Sequence, residues 1–194
     1  MKYFLFAILF ISQKSFCQAD STMYFKAIGW TINLPTDLKI SEETISSENK
    51  KGEAVLVQPT TDGKLNNSKP DQSVTLISAS KDQSNLFYSN YIVSSKITSS
   101  TWEPFDSATK LQFFAPLRKQ ISTEPEIHFS KIILDGIVFK KLEEKFKISQ
   151  NTTFSASYLS TYYKHRYLMI AYFFTDREVG AEIENMLKNS KFEK

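Results

Sequence analysis

The side chains that could do chemistry are few and badly spaced for it. The two histidines, His128 and His165, lie far apart, with no HxH, HxxxH or HExxH spacing around either. His128 falls inside an apolar strand-like run and His165 beside a turn, so each is expected to be solvated or hydrogen-bonded rather than a metal ligand. Glu143-Glu144 and Glu42-Glu43 are adjacent acidic pairs. Neighbours in a strand point to opposite faces, so Glu143 and Glu144 cannot converge on one bond as paired catalytic carboxylates must. They are read as charges on a solvated face. No GxSxG or SxxK nucleophile pattern is present, and five glycines leave no phosphate-cradling loop. No cofactor motif follows, and no catalytic residue is assigned.

Two constellations offer binding rather than catalysis. Lys164-His165-Arg166 forms a small basic tip that could meet an acidic partner or a lipid headgroup. Tyr158, Tyr162 and Tyr167, if exposed together, would make an aromatic platform for a sugar ring or a protein partner. The competing fates are ordinary ones: a charged hairpin tip that serves solubility, and tyrosines packed in the core.

The elements that position these residues come from the stretch Thr153 to Phe192. Tyr167 to Phe174 (YLMIAYFF) carries no charge, and both of its alternating residue sets are apolar. A strand with one wet face alternates apolar and polar residues, so this run predicts a strand covered on both faces. The preceding run sets Phe154, Ala156, Tyr158 and Tyr162 against Ser155, Ser157, Leu159 and Thr161, which predicts a strand nearer the sheet edge. A Lys164-His165 turn would place Tyr162 opposite Tyr167 and Tyr158 opposite Ala171. Thr175-Asp176-Arg177-Glu178 fits a capping box with Thr175 as the cap. Val179, Ile183, Met186 and Leu187 then share one helical face, and burying them contributes about 6–10 kcal/mol gross.

At the start, Lys2, the apolar run Tyr3 to Ile11 and the small residues Ser15, Cys17 and Ala19 predict a signal peptide over 1–19. Cleavage after Cys17 or after Ala19 fits. A lipoprotein would keep Cys17 acylated, but Phe16 is bulky where a lipobox needs a small residue. The apolar run is too short to span a membrane. Cys17 is the only cysteine and leaves with the signal, so the exported chain has no disulfide or thiolate. Lys2 and Lys14 leave too, reducing the net charge from +3 to +1. A charge that small gives no drive toward a phosphate backbone, which excludes nucleic acid as a partner. About 175 residues remain, enough for one domain over 20–194.

Along that domain, Tyr24 to Ile28 and Trp30 to Leu34 read as short strands flanking Gly29, the second ended by Pro35. Residues 41–54 suggest a surface helix, and 58–72 (QPTTDGKLNNSKPDQ) a mobile loop. Ser73 to Ser80 reads as a strand, while Asn85 to Ile97 fits either type. Ser100-Thr101-Trp102-Glu103 offers a second capping box, opening a helix lined by Trp102, Phe105, Leu111 and Ala115 that Pro116 disturbs. Glu126 to Leu134 and Ile137 to Ile148 form a hairpin about Asp135-Gly136. In the second strand Val138, Leu142, Phe146 and Ile148 oppose a mostly wet face carrying Phe139, Lys141, Glu143, Lys145 and Lys147.

The fold class is α+β, a mostly antiparallel sheet covered by helices on both faces and closed by a C-terminal helix after a β-meander. With Gly29-Trp30-Thr31-Ile32-Asn33-Leu34-Pro35, Lys51-Gly52, Leu134-Asp135-Gly136 and Ser190-Lys191-Phe192, the chain resembles the PsbP-like α/β/α sandwich. That resemblance implies a binding or assembly role. The sequence reading is an exported (periplasmic, envelope-associated or secreted) module for an unknown protein or glycan. The alternatives are a hydrolase with a dispersed site and a carbohydrate binder using the tyrosines.

Overall fold

A computed structural model describes residues 21–41, 72–121 and 123–194. The expected signal peptide, the 58–71 part of the expected loop and all but the first residue of the 41–54 helix lie outside these described residues. The described strands sort into two antiparallel sheets. The small one orders β1 (Ser21–Phe25), β2 (Trp30–Leu34) and β10 (Lys191–Phe192), with β2 in the middle. The large one has seven strands in the order β3-β4-β5-β9-β8-β7-β6. These are β3 (Lys39–Ile40), β4 (Gln72–Asp82), β5 (Asn85–Val93), β6 (Glu126–Leu134), β7 (Ile137–Lys147), β8 (Thr153–Tyr163) and β9 (Arg166–Phe174). Three helices complete the described chain: α1 (Trp102–Phe113), α2 (Ala115–Gln120) and α3 (Arg177–Asn189). The helix expected from Trp102 is broken where Pro116, lacking an amide proton, enters the first turn of α2.

The all-apolar run becomes β9, the central strand of the seven. Tyr167 to Tyr172 are all buried, so both faces are covered as the pattern requires. Its hairpin with β8 has the expected register, Tyr162 opposite Tyr167 and Tyr158 opposite Ala171. The turn residues Lys164 and His165 both take left-handed backbone, at φ 47° and 58°. A two-residue turn between right-twisted strands demands this conformation even without the usual Asn-Gly. As expected, β8 lies one place nearer an edge than β9, yet it is not the edge itself. It is an interior strand, and Ser157 and Ser160 are buried on it. Serine alternation looks wet in a sequence, yet the small hydroxyl fits under a packed layer; Ser157 stands opposite Tyr172 across the pair.

Two apolar clusters flank the large sheet. On one side α3 contributes Val179, Ile183, Met186 and Leu187, joined by Trp30, Ile32 and Phe192 of the small sheet. Trp30 stacks on Phe192 at 5.7 Å, and Phe192 reaches Phe139 of β7 at 5.9 Å. On the other side Trp102, Phe105, Phe113, Phe114 and Leu117 of the α1–α2 segment pack with Tyr158, Tyr167 and Met169. Helix is thus the minor part of the cover on the α3 side. Gly180 lets α3 approach β9, because a Cβ there would lie 2.5 Å from the Phe174 ring.

The α3 cap is Asp176, not Thr175: the Asp176 carboxylate accepts the Glu178 amide at 2.9 Å. An Asx acceptor serves the second amide of the helix as well as a threonine would. Asp176→Ala is expected to lower stability by about 0.5–2 kcal/mol in urea unfolding. A loss near zero would mean that Asp176 is not the cap in solution.

The chain end is pinned by charge. Asp135, in the β6–β7 turn at φ 47°, accepts the Phe192 amide at 2.8 Å, with Lys191 Nζ at 3.6 Å. The amide bond first, and Lys191 second, hold the Asp135 carboxyl below its ordinary value. A carboxyl depressed on folding stabilises above the unfolded value, about pH 4, and loses that contribution as pH falls through its folded value. The stability gap between wild type and Asp135→Ala should therefore shrink on acidification below about pH 4. A gap independent of pH would exclude this tether.

Candidate functional site

Helix α1 builds the site. Asp106 and Lys110 stand one turn apart, so both face the sheet, where Asp106 is 1% exposed and Lys110 is 4% exposed. Tyr167 donates its hydroxyl proton to Asp106 Oδ1 at 2.7 Å and meets the Tyr158 hydroxyl at 2.8 Å. Lys110 Nζ donates to Asp106 Oδ2 at 2.9 Å and to the Lys140 carbonyl at 3.4 Å. Phe105 lies edge-on to the Tyr167 ring at 5.1 Å. Burial pushes both phenols up, so they stay protonated across the neutral range. Burial also pulls Lys110 down, opposed in part by Asp106. Both Asp106 oxygens and both phenols are taken up within the network. Its chemistry is that of a clamp between α1, β8 and β9.

The second expected capping box is not made. Thr101 is the cap position but gives its hydroxyl to the Lys96 carbonyl at 2.7 Å. Glu103 turns outward to Lys140 at 2.8 Å instead of back to the helix start. Lys140 also lies 4.9 Å above the Trp102 ring, completing a rim over the clamp.

Beyond that rim, a cavity of about 470 Å³ is lined by Asp106, Ser107, Lys110, Phe129, Lys131 and Lys140, among others. Its far wall is β6, the outermost strand of the large sheet. Ile127 (48% exposed), Phe129 (64%) and Ile133 (65%) alternate along β6, and Val138 (49%) pairs with Ile133 on β7. Phe129 stands opposite the fully buried Leu142, so core and open surface are continuous here. The site is therefore an apolar strip bordered by lysines.

The same face carries a correction. Glu144 is not a solvated charge: it is fully buried and gripped by Arg118 of α2, through Nε at 3.1 Å and through a second guanidinium contact. Glu144 belongs to the alternate set Leu142-Glu144-Phe146, whose two apolar members point inward. The other half of the pair, Glu143, faces away, between Lys141 and Lys145 at 3.0 and 2.9 Å.

The sequence-predicted binding residues are divided. Tyr158 and Tyr167 are fully buried with their hydroxyls engaged, and Tyr162 is half-buried, so no open platform of three rings exists. Their positions put them under α1, which the sequence did not place over this hairpin. Lys164 and His165 are exposed at the β8–β9 turn. Arg166 folds back, donating to the Lys164 carbonyl at 2.9 Å and lying 5.4 Å from the Tyr91 ring. His128 is exposed on β6. Among the described residues no group of three His, Cys, Asp or Glu could hold a metal ion, and no helix is long and apolar enough to cross a membrane. Sequence reading missed Asp106, Lys110, Arg118 and Glu144. The signals were the Asp106-Lys110 spacing on a helix and the apolar company of Glu144.

No protein-family model matches the chain, and no curated protein does. Among solved structures, the chain is similar to the solution structure of cyanobacterial PsbP (CyanoP) from Synechocystis. Identity is 8% and the TM-score 0.49, over 89% of this chain and 92% of that one. It is also similar to the crystal structure of LpqN, involved in cell envelope biogenesis of Mycobacterium tuberculosis, at 11% identity and TM-score 0.39, over 91% of each chain.

Proposed function

We propose that this chain is an exported, single-domain binding or assembly module with no intrinsic chemistry. Its contact surface is the lysine-bordered apolar strip on β6 and β7. In this reading the domain is a three-layer α/β/α sandwich, with α1 and α2 on one face and α3 on the other. Export rests on the signal-like opening over 1–19. The observation that carries the proposal is the contrast between two neighbouring sets of groups. The polar side chains with reactive potential, Asp106, Lys110, Tyr158 and Tyr167, are buried and mutually bonded. Ile127, Phe129, Ile133 and Val138, which have none, are the ones left open to water. A surface arranged this way recognises by shape and apolar contact.

The test uses the purified protein as bait on its own cell-envelope extract, beside a Phe129→Ser/Ile133→Ser variant. Both positions are exposed, so the variant should keep its circular dichroism and thermal midpoint. Loss of the retained component with the variant supports the reading. Equal retention by both proteins, or turnover above blank in an ester, glycoside and peptide screen, overturns it.

A further inference from the structure

The two edges of the large sheet are treated very differently. At one edge, among the described residues, the two-residue β3 covers β4 only at Ala79 and Ser80. At the other, β6 runs nine residues from Glu126 to Leu134, with no internal proline and an unbroken register against β7. Long, unbroken, apolar edges invite another strand, and natural sheets normally blunt them. The two-residue Asp135-Gly136 loop makes Leu134 and Ile137 a hydrogen-bonded pair. With the register unbroken, bonding alternates from there, so the amides of Ile127, Phe129, Lys131 and Ile133 face away from β7. These are also the residues whose side chains form the strip.

The strand is self-complementary about its midpoint, Ser130. Turned end for end around that residue, Ile127 meets Ile133, Phe129 meets Lys131, and His128 meets Ile132. On the strip face Ile127 and Ile133 then fall on each other, and each lysine on an aromatic ring. All nine residues pair in this register, and no two like charges oppose one another. Sliding the copies to centre on Lys131 would set lysine against lysine.

The geometry points to a second copy of this chain as the occupant of β6. The two copies join by antiparallel β6–β6 pairing about Ser130, extending the two seven-stranded sheets into one across a two-fold axis. This rests on the reading of the strip as a contact surface and names what docks there.

The test is sedimentation of the full chain across concentration, combined with register-specific crosslinking in a Cys17→Ser background. Opposed residues at the two-fold lie about 4.5–5.5 Å apart at Cα, within disulfide reach. Ser130→Cys should form an intermolecular disulfide on mild oxidation, and His128→Cys at least tenfold less. Phe129→Lys would face Lys131 and should raise the dimer dissociation constant at least tenfold, and Phe129→Lys/Lys131→Glu should restore it. A monomer at every concentration up to the solubility limit overturns the proposal, as does equal crosslinking at both cysteines. If the protein is monomeric but the Phe129→Ser/Ile133→Ser bait still loses its partner, the contact surface stands and only its self-association fails.

Discussion

Asp106→Ala is expected to destabilise the fold by about 3–5 kcal/mol, measured as a shift in the urea midpoint at unchanged slope. The carboxylate is the only acceptor that both Lys110 and Tyr167 reach in the clamp, and both are buried. Removing it leaves an ammonium group without its counter-charge and a phenol without its acceptor. Asp106→Leu/Lys110→Met should recover much of the loss, because apolar side chains of similar volume can replace a buried pair at little net cost. Tyr167→Phe should cost only about 0.5–1.5 kcal/mol, since it takes away one bond and strands no charge. If Asp106→Ala costs no more than Tyr167→Phe, Lys110 escapes to water and the clamp is not closed in solution.

Arg118→Ala comes second. Glu144 is fully buried, while the side chain of Arg118 keeps 28% of its surface in water. Solvent can therefore repair part of the damage, and the expected loss is about 2–4 kcal/mol, toward the lower end for a broken buried pair. Glu144→Gln should cost less, because it removes the buried charge and keeps one acceptor oxygen for the guanidinium. The order of the two variants is the decisive reading: were Glu144→Gln the worse one, the guanidinium rather than the carboxylate would be the dependent partner. Because α2 is only six residues long, this contact also decides where it sits. Backbone amides of residues 117 to 121 should exchange faster in Arg118→Ala.

These two sites show where sequence reading stops. Local patterns gave the centre of the fold: the uncharged run that became β9, the Tyr162–Tyr167 register, the Asp135-Gly136 turn and the inner face of α3. Each depends on residues within a few positions of one another. Glu144 and Asp106 failed because their partners lie 26 and 61 residues away, in elements whose placement no periodicity encodes. The small sheet was hidden for the same reason, since Lys191–Phe192 pairs with β2 across almost the whole chain. The caps failed differently. Ser100 and Thr175 headed the two expected boxes, but the first helix is capped one position later at Thr101, whose hydroxyl a nearby carbonyl claims, and Asp176 stood one position closer to the other helix. The candidate site was the least legible, because exposure on β6 depends on what α1 and α2 leave uncovered.

The two tryptophans make the layers separately visible to light. Trp30 is enclosed by Phe25 and Phe192 on the α3 side, and Trp102 sits beneath an ammonium group on the other. The first should emit toward the blue and the second be dimmed and red-shifted by its charged, half-wet neighbour. With each replaced by phenylalanine in turn, the remaining indole becomes a private gauge of one cluster. Coincident denaturation curves from both gauges would mean that the domain melts as one body, and separate curves that its two halves come apart independently.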